Sequence, residues 1–297
     1  MVIVVKRRKG NQSYYYLRHN IRKGNRQKEI YLGKQIPENI EEIKRNFLLE
    51  FYQAEWIPGL EAIRRGYARE LKRMPKHVVQ KEMETFSIRF TYNTQRIEGS
   101  SLTLKETADL LAEGRAPSSK PMVDVKEAEA HRKLFFEMLK YDEELTIEAV
   151  CRWHKQMFKE TKSDLAGKIR DYEVGISGSK FIPPKPAAVT ILLKGFFRWY
   201  SKSKRKLHPV LLSALVHLKF VTIHPFGDGN GRISRLMMNY VVSKFGYPML
   251  DIEYSDRRSY YNALERSQTK QNDIIFLQWF MKRYLKTYSR FLTAKSA

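Results

Sequence analysis

Residues 209–223, PVLLSALVHLKFVTI, constrain the fold most. As a helix this stretch is apolar almost all round, a pattern stable only where the helix is buried on every side. Pro209 is a good first helical residue, because the N–H it lacks would have had no intrahelical acceptor there. A central helix of this kind requires other helices around it. It runs directly into HPFGDGNGRISR, His224 to Arg235, so a polar, glycine-rich stretch sits at the end of the most buried element.

The rest of the chain reads as the packing around that helix. Within residues 1–36, VIVV, SYYYLRHNI and QKEIYLG are short, β-branched and aromatic, and the turn-like RRKGNQ and RKGNR separate them. They predict a small three-stranded antiparallel sheet. From IPENIEEI onward the pattern is helical. Asn39 caps a first helix reaching to about Trp56, and Lys76–Ile97 forms another that ends at Glu98-Gly99. Thr103 and Glu106 make a capping box for the next helix, and Thr146 caps TIEAVCRWHKQMF. Residues 164–189 interrupt the helices with three glycines, three prolines and the alternating YEVGI, which predicts a β-hairpin flap. Helices resume at about Ala188 and continue through RISRLMMNYVVSKFG, SYYNALERSQ and NDIIFLQWFMKRYLKTYSRF. The expected fold is mainly α, a helical bundle with a β-hairpin flap and a small N-terminal sheet. The divisions are 1–36, 37–110 and 111–297.

Composition narrows the setting. A single cysteine, Cys151, rules out an intramolecular disulfide and favours an intracellular protein. No apolar run is long enough to span a bilayer, and the charges of MVIVVKRRKG follow the apolar residues instead of preceding them. The expectation is a cytoplasmic protein without a membrane. The net charge of +23 attracts nucleotides and polyanions. It reads as a nucleic-acid surface or a surface for an acidic target, but no DNA-binding motif accompanies it, which favours a solvated lysine- and arginine-rich exterior. Residues 1–36 concentrate it, with ten Lys/Arg against one Glu. Tyr14, Tyr15 and Tyr16 there could stack on bases or pack onto the helical body.

The glycine-rich stretch carries the chemistry. Gly227, Gly229 and Gly231, between a helix end and a helix start, let successive N–H groups point into one concavity and form a nest for an anion. The next helix adds the partial positive charge of its N-terminus. Arg232 and Arg235 lie almost one turn apart and make a polyphosphate clamp. Asp228 offers a hard oxygen to Mg²⁺, and His224 has the intrinsic pKa of a general base. His217 and His224 share a helical face seven residues apart, but no third nitrogen or sulfur ligand accompanies them. Phosphoryl or nucleotidyl transfer to a hydroxyl is the reaction class. No Walker-type phosphate loop occurs.

HPFGDGNGRISR resembles the signature of the Fic family, H-P-F-x-[DE]-G-N-G-R-x-x-R, at every specified position, and the resemblance covers roughly residues 80–285. Fic proteins are all-α enzymes that mostly transfer AMP from ATP to a protein hydroxyl and release pyrophosphate. The resemblance implies that His224 deprotonates a target Ser, Thr or Tyr while Pro225 and Phe226 fix the loop. Asp228 would hold Mg²⁺. Asn230, with the backbone of Gly229 and Gly231, would cradle the phosphates. Arg232 would neutralise the leaving pyrophosphate, and Arg235 would hold the γ-phosphate. Tyr260 and Tyr261 resemble a pair near the adenosine. The flap at Gly178, Ser179, Lys180 and Phe181 would border the nucleotide and align the target chain as an added strand. Gln268 replaces an asparagine that many relatives carry near the base. TQRIEG, Thr94 to Gly99, fits the inhibitory pattern [ST]-x-x-x-E-[GN], so Glu98 would occupy Arg235 and repel the γ-phosphate. Residues 37–110 would then carry the inhibitory helix and 111–297 the catalytic core.

The expected function is an autoinhibited protein adenylyltransferase using ATP and Mg²⁺. Its partner is a hydroxyl-bearing protein, with self-modification and a homodimer among the expectations. Removal of AMP at the same site is the nearest alternative. A nucleic-acid-binding regulator that uses the basic sheet, with a vestigial nucleotide site, is the other.

Overall fold

The computed structural model describes residues 2–20 and 27–292. The RKGNR turn expected between the second and third strands lies outside them. Two compact units divide the chain, residues 1–61 and 62–297.

In the first unit, β1 (Val2–Lys9), β2 (Gln12–Asn20) and β3 (Gln27–Gly33) form an antiparallel sheet in the order β1-β2-β3. Val4, Leu17 and Ile30 stand opposite one another across it, and Leu17 is fully buried. The same face carries His19, whose ring meets Phe51 and Tyr52 edge-on at 4.8 and 5.9 Å, and Lys28, which lies over Phe47. These aromatics belong to α1 (Ile40–Arg73), whose first turn is held by the Asn39 carbonyl accepting from the N–H groups of Glu42 and Ile43. The helix does not stop near Trp56 as expected but passes through Pro58. Proline inside a helix removes one donor and costs about 3 kcal/mol. The turns on either side place Trp56, Leu60 and Ile63 in buried positions, and that burial offsets the loss.

The second unit is built on α7 (Pro209–Ile223), which is buried at nearly every position, as its composition requires. It packs against α6 (Pro186–Ser203), α8 (Asn230–Lys244) and α10 (Asp273–Thr287). On α8 lie α2 (Lys76–Ile97), α4 (Met122–Lys140) and α5 (Ile147–Phe158); α3 (Leu104–Glu113) covers α2 and α4, and α9 (Arg257–Thr269) lies on α10. The local signals read in the sequence hold here. Thr103 and Glu106 form a complete capping box, and Thr146 accepts from the N–H of Ala149. Gly99, at φ 103°, ends α2 in a conformation that favours glycine.

The flap differs from expectation. Among the described residues, 164–185 contain no strand. A hairpin needs a returning strand, and the returning FIPPKP holds Pro183, Pro184 and Pro186, which have no N–H for a ladder. The segment has turns instead, one where the N–H of Lys168 donates to the Leu165 carbonyl at 3.1 Å and one where the N–H of Ser179 donates to the Ile176 carbonyl at 3.0 Å. No helix among the described residues is long and apolar enough to cross a membrane.

Candidate active site

The site begins where α7 ends. His224 caps that helix in the left-handed region, at φ 53° and ψ 59°. A non-glycine residue there stores strain of about 1–3 kcal/mol. The contacts that hold it come from Arg170, which is buried. Its Nε donates to the His224 carbonyl at 2.8 Å, its Nη1 to the Tyr172 carbonyl at 2.9 Å and its Nη2 to the Pro184 carbonyl at 2.6 Å. Its own N–H donates to the Pro225 carbonyl. One guanidinium thus ties the flap segment to the motif. Nothing in the sequence singled out Arg170, because its partners are carbonyls far along the chain.

Nδ1 of His224 lies 3.3 Å from the Val221 carbonyl. A carbonyl only accepts, so Nδ1 carries the proton and Nε2 keeps its lone pair. Burial holds the pKa below its ordinary 6.5, and the Arg170 charge works in the same direction. A neutral imidazole with a free Nε2 is a competent base at neutral pH.

The turn after it is fixed from within. Phe226 is buried and stacked on His154 at 3.8 Å. Both polar atoms of the Asn230 side chain bind the backbone of Phe226, accepting its N–H at 2.9 Å and donating to its carbonyl at 2.8 Å. Asn230 therefore shapes the nest, and only its backbone remains to line it. The first N–H groups of α8, at Asn230, Gly231 and Arg232, have no intrahelical acceptor, the arrangement that suits an anion at a helix N-terminus. Gly229, at φ 78°, supplies the left-handed turn, and a Cβ there would overlap the Phe158 ring.

Asp228 is flanked by cations. Lys162 Nζ lies 2.6 Å from its carboxylate and Arg232 Nη2 lies 3.1 Å away. Burial alone would raise its pKa, but Arg232 and Lys162 hold the carboxyl well below the usual range. Its backbone carbonyl accepts from Nε2 of His154 at 3.0 Å, while the Gly167 N–H donates to Nδ1 of the same ring. Burial pushes that imidazole down to about 4, so it stays neutral.

Arg232 and Arg235 are both buried and differ in their partners. Arg232 donates to Glu127, Asp228 and Gln95. Glu127 also binds Lys162 at 2.8 Å and Thr161 at 3.1 Å. This buried acid on α4 was not legible in KEAEAHRK, where it reads as one charge among several on a solvated helix. Arg235 donates to Glu98 Oε1 at 2.6 Å, to the carbonyl and hydroxyl of Thr94 at 3.2 Å each, and to the Tyr260 hydroxyl at 3.3 Å. The Tyr260 hydroxyl in turn lies 2.8 Å from Nε2 of His217. His217 is thus a buried hydrogen-bond partner. Among the described residues no group of three His, Cys, Asp or Glu could hold a metal. At Gly231 α8 passes close to Glu98, since a Cβ there would overlap Oε1.

The other expected site residues lie around this centre. Tyr260 is fully buried, whereas Tyr261 is exposed and donates to the Ile97 carbonyl at 3.1 Å. In the flap, Gly178 sits at φ 73°, the Lys180 N–H donates to Glu265 at 2.9 Å, and the Phe181 N–H donates to Ser179 Oγ. The amide of Gln268 donates to the Thr222 hydroxyl at 3.2 Å.

Residues 144–242 match the family model described as Fic/DOC family. The chain is 32% identical over 188 residues to the "Protein adenylyltransferase Fic" of Nematostella vectensis, covering 62% of this chain and 43% of the relative. It is 34% identical over 178 residues to the protein of the same name from Drosophila melanogaster, covering 59% and 36%. It thus spans less than half the length of these curated relatives. The fold is similar to the crystal structure of a Fic-domain-containing signaling protein from Bacteroides thetaiotaomicron. There the TM-score is 0.71 at 22% identity, over 80% of this chain and 96% of that one. It is also similar to Fic-1, residues 134–508, from C. elegans, with a TM-score of 0.71 at 22% identity, over 89% and 79%.

Proposed function

We propose that this chain, which carries a domain of the Fic/DOC family, is a protein adenylyltransferase held off by its own Glu98. The observation that carries this reading is the composition of one loop. Within His224–Arg235 stand an uncharged imidazole with a free Nε2, an anion nest at a helix N-terminus, an ionised carboxylate and a buried arginine held by a removable acid.

The proposed reaction is attack by a Ser, Thr or Tyr hydroxyl of a target protein on the α-phosphorus of ATP. The hydroxyl proton passes to Nε2 of His224. A new O–P bond forms, the bond from the α-phosphorus to the bridging oxygen breaks, and pyrophosphate leaves. The orphan N–H groups of α8 receive phosphate oxygens. Arg232 balances charge on the leaving group, and Arg235 takes the γ-phosphate once Glu98 withdraws. Mg²⁺ fits Asp228, a hard oxygen donor kept ionised by its surroundings. When bound, the ion supplies charge neutralisation on the phosphates. Its further ligands would come with the nucleotide, since Glu127, the acid that shares Lys162 and Arg232 with Asp228, is already paired with those two cations.

Autoinhibition rests on the Glu98–Arg235 pair. The guanidinium meant for the terminal phosphate already holds an anion, and the carboxylate repels that phosphate. Removal of AMP by water is the competing direction. One experiment separates these reactions from phosphoryl transfer. The Glu98→Gly protein is incubated with ATP labelled at the α- or the γ-phosphate, and protein-bound label is counted. Adenylyl transfer places only the α-label on protein, a kinase places only the γ-label, and an AMP hydrolase accumulates neither.

A further inference from the structure

The N-terminal sheet has a second face that the nucleotide chemistry does not use. Cross-strand pairing sets Ile3, Val5, Arg7, Tyr14, Tyr16, Arg18, Glu29 and Tyr31 on the side opposite Leu17 and His19. The face with Leu17 and His19 packs on α1; the other carries three tyrosine rings side by side. Tyr16 and Tyr31 lie 5.3 Å apart between centroids, Tyr14 and Tyr31 6.3 Å, and Tyr31 is 55% exposed. The guanidinium of Arg7 lies 4.6 Å from the Tyr16 ring centre. Glu29, the one acid of residues 1–36, is neutralised on this face by Arg7 at 2.9 Å and by Arg18. Lys9, in step with Arg7 on this face, is exposed, as is Lys34 just past β3, while Lys6 and Arg8 alternate onto the other face.

We propose that this outer face of β1–β3 is a stacking platform for single-stranded nucleic acid. Tyrosine rings accept the flat face of any base, and Lys9, with Arg7 and Arg18 on the same face, meets the phosphates. Both parts are needed. Rings alone would serve as cross-strand packing, and charge alone would hold a duplex as well as a single strand. The ten-to-one excess of basic residues complements a polyanion and excludes a basic partner. The proposal goes beyond AMP transfer and stands whether or not that reading holds.

The test is fluorescence anisotropy of the full chain with labelled 12-nucleotide mixed-sequence single-stranded DNA, the same sequence as RNA, and the DNA duplex. Single strands of one or both kinds should bind more tightly than the duplex. The two single-stranded arms then identify the sugar preferred. Tyr31→Ala and Tyr14→Ala should each weaken single-strand binding roughly five- to a hundredfold, and Tyr31→Phe should retain it, because stacking needs the ring and not the hydroxyl. Both positions are on the solvent face, and circular dichroism checks that the variants are folded. Quenching of tyrosine fluorescence by unlabelled strand gives a second readout. Binding indifferent to both alanine substitutions, equal binding of duplex and single strand, or no binding would overturn the proposal.

Discussion

Glu98 Oε1 lies 2.6 Å from Nη2 of Arg235, with the carboxylate side chain 23% exposed and the guanidinium 1% exposed. Glu98 is the C-cap of α2 and Arg235 stands on α8, 137 positions apart. A buried arginine needs a counter-charge, and Glu98 supplies it from a helix end with its own side chain partly open to solvent. On the proposed function, Arg235 would have two anions to choose from, one internal and one on a nucleotide.

The approach of α8 to Glu98 depends on Gly231. A Cβ at that position overlaps Glu98 Oε1 and sits 3.1 Å from Arg235 Nη1. Gly231→Ala should destabilise the parent by about 1–3 kcal/mol in urea unfolding. In the Glu98→Gly background the main clash is gone, so the same substitution should cost clearly less. Equal costs in the two backgrounds would show that the contact between Gly231 and Glu98 does not form in solution.

Asp228 should make nucleotide binding sensitive to metal. In the Glu98→Gly background, calorimetry should show tighter ATP binding with Mg²⁺ than with EDTA. Asp228→Ala should remove most of that difference, and a difference preserved in the alanine variant would place the ion elsewhere.

Activity should extend to mildly acidic pH. His224 acts as a base when neutral, and burial holds its pKa below 6.5. Label incorporation by Glu98→Gly should therefore stay level from pH 8 to below 6.5 before it falls as the imidazole protonates. A midpoint above 6.5 would contradict the environment described for His224. His224→Ala should cost about 10²–10⁴-fold in transfer while ATP binding persists.

Stability should fall over the same range for a different reason. Burial holds His131 at about 3 and His154 at about 4, while both titrate near 6.5 when unfolded. Their folded pKa values are depressed, so acid protonates the unfolded chain first. Stability is full above about 6.5 and is lost progressively toward 4. Between pH 7 and 5 each contributes a loss of about 2 kcal/mol. Urea unfolding at the two pH values measures it, and equal stabilities would mean that these rings are solvated in the fold.

The sequence revealed the parts of the site that are local. The nest, the base and the paired arginines lie within twelve consecutive residues, so spacing alone indicates their chemistry. Thr103 and Thr146 were legible because a cap acts on backbone three residues away. Long-range partners were not. Glu127 reaches Arg232 across 105 positions, and Arg170 reaches the flap and the motif at once. Neither differs in pattern from a surface charge until the helices are packed. Asn230 shows a subtler gap, since a side chain at the centre of the motif is spent on closing the loop. Pro58 shows that burial on both sides of a proline can outweigh a strong local stop signal.

The central claim is that Glu98 restrains a site otherwise ready to react. It is tested most directly by comparing the parent and Glu98→Gly for self-labelling with α-labelled ATP, at matched ATP and Mg²⁺. A charge-assisted pair of this kind contributes about 1.5–3 kcal/mol, so its removal should raise incorporation roughly ten- to a hundredfold. Arg235→Ala added to Glu98→Gly should cancel the gain, because the arginine is what the substitution frees. Equal labelling by the parent and Glu98→Gly would contradict the account.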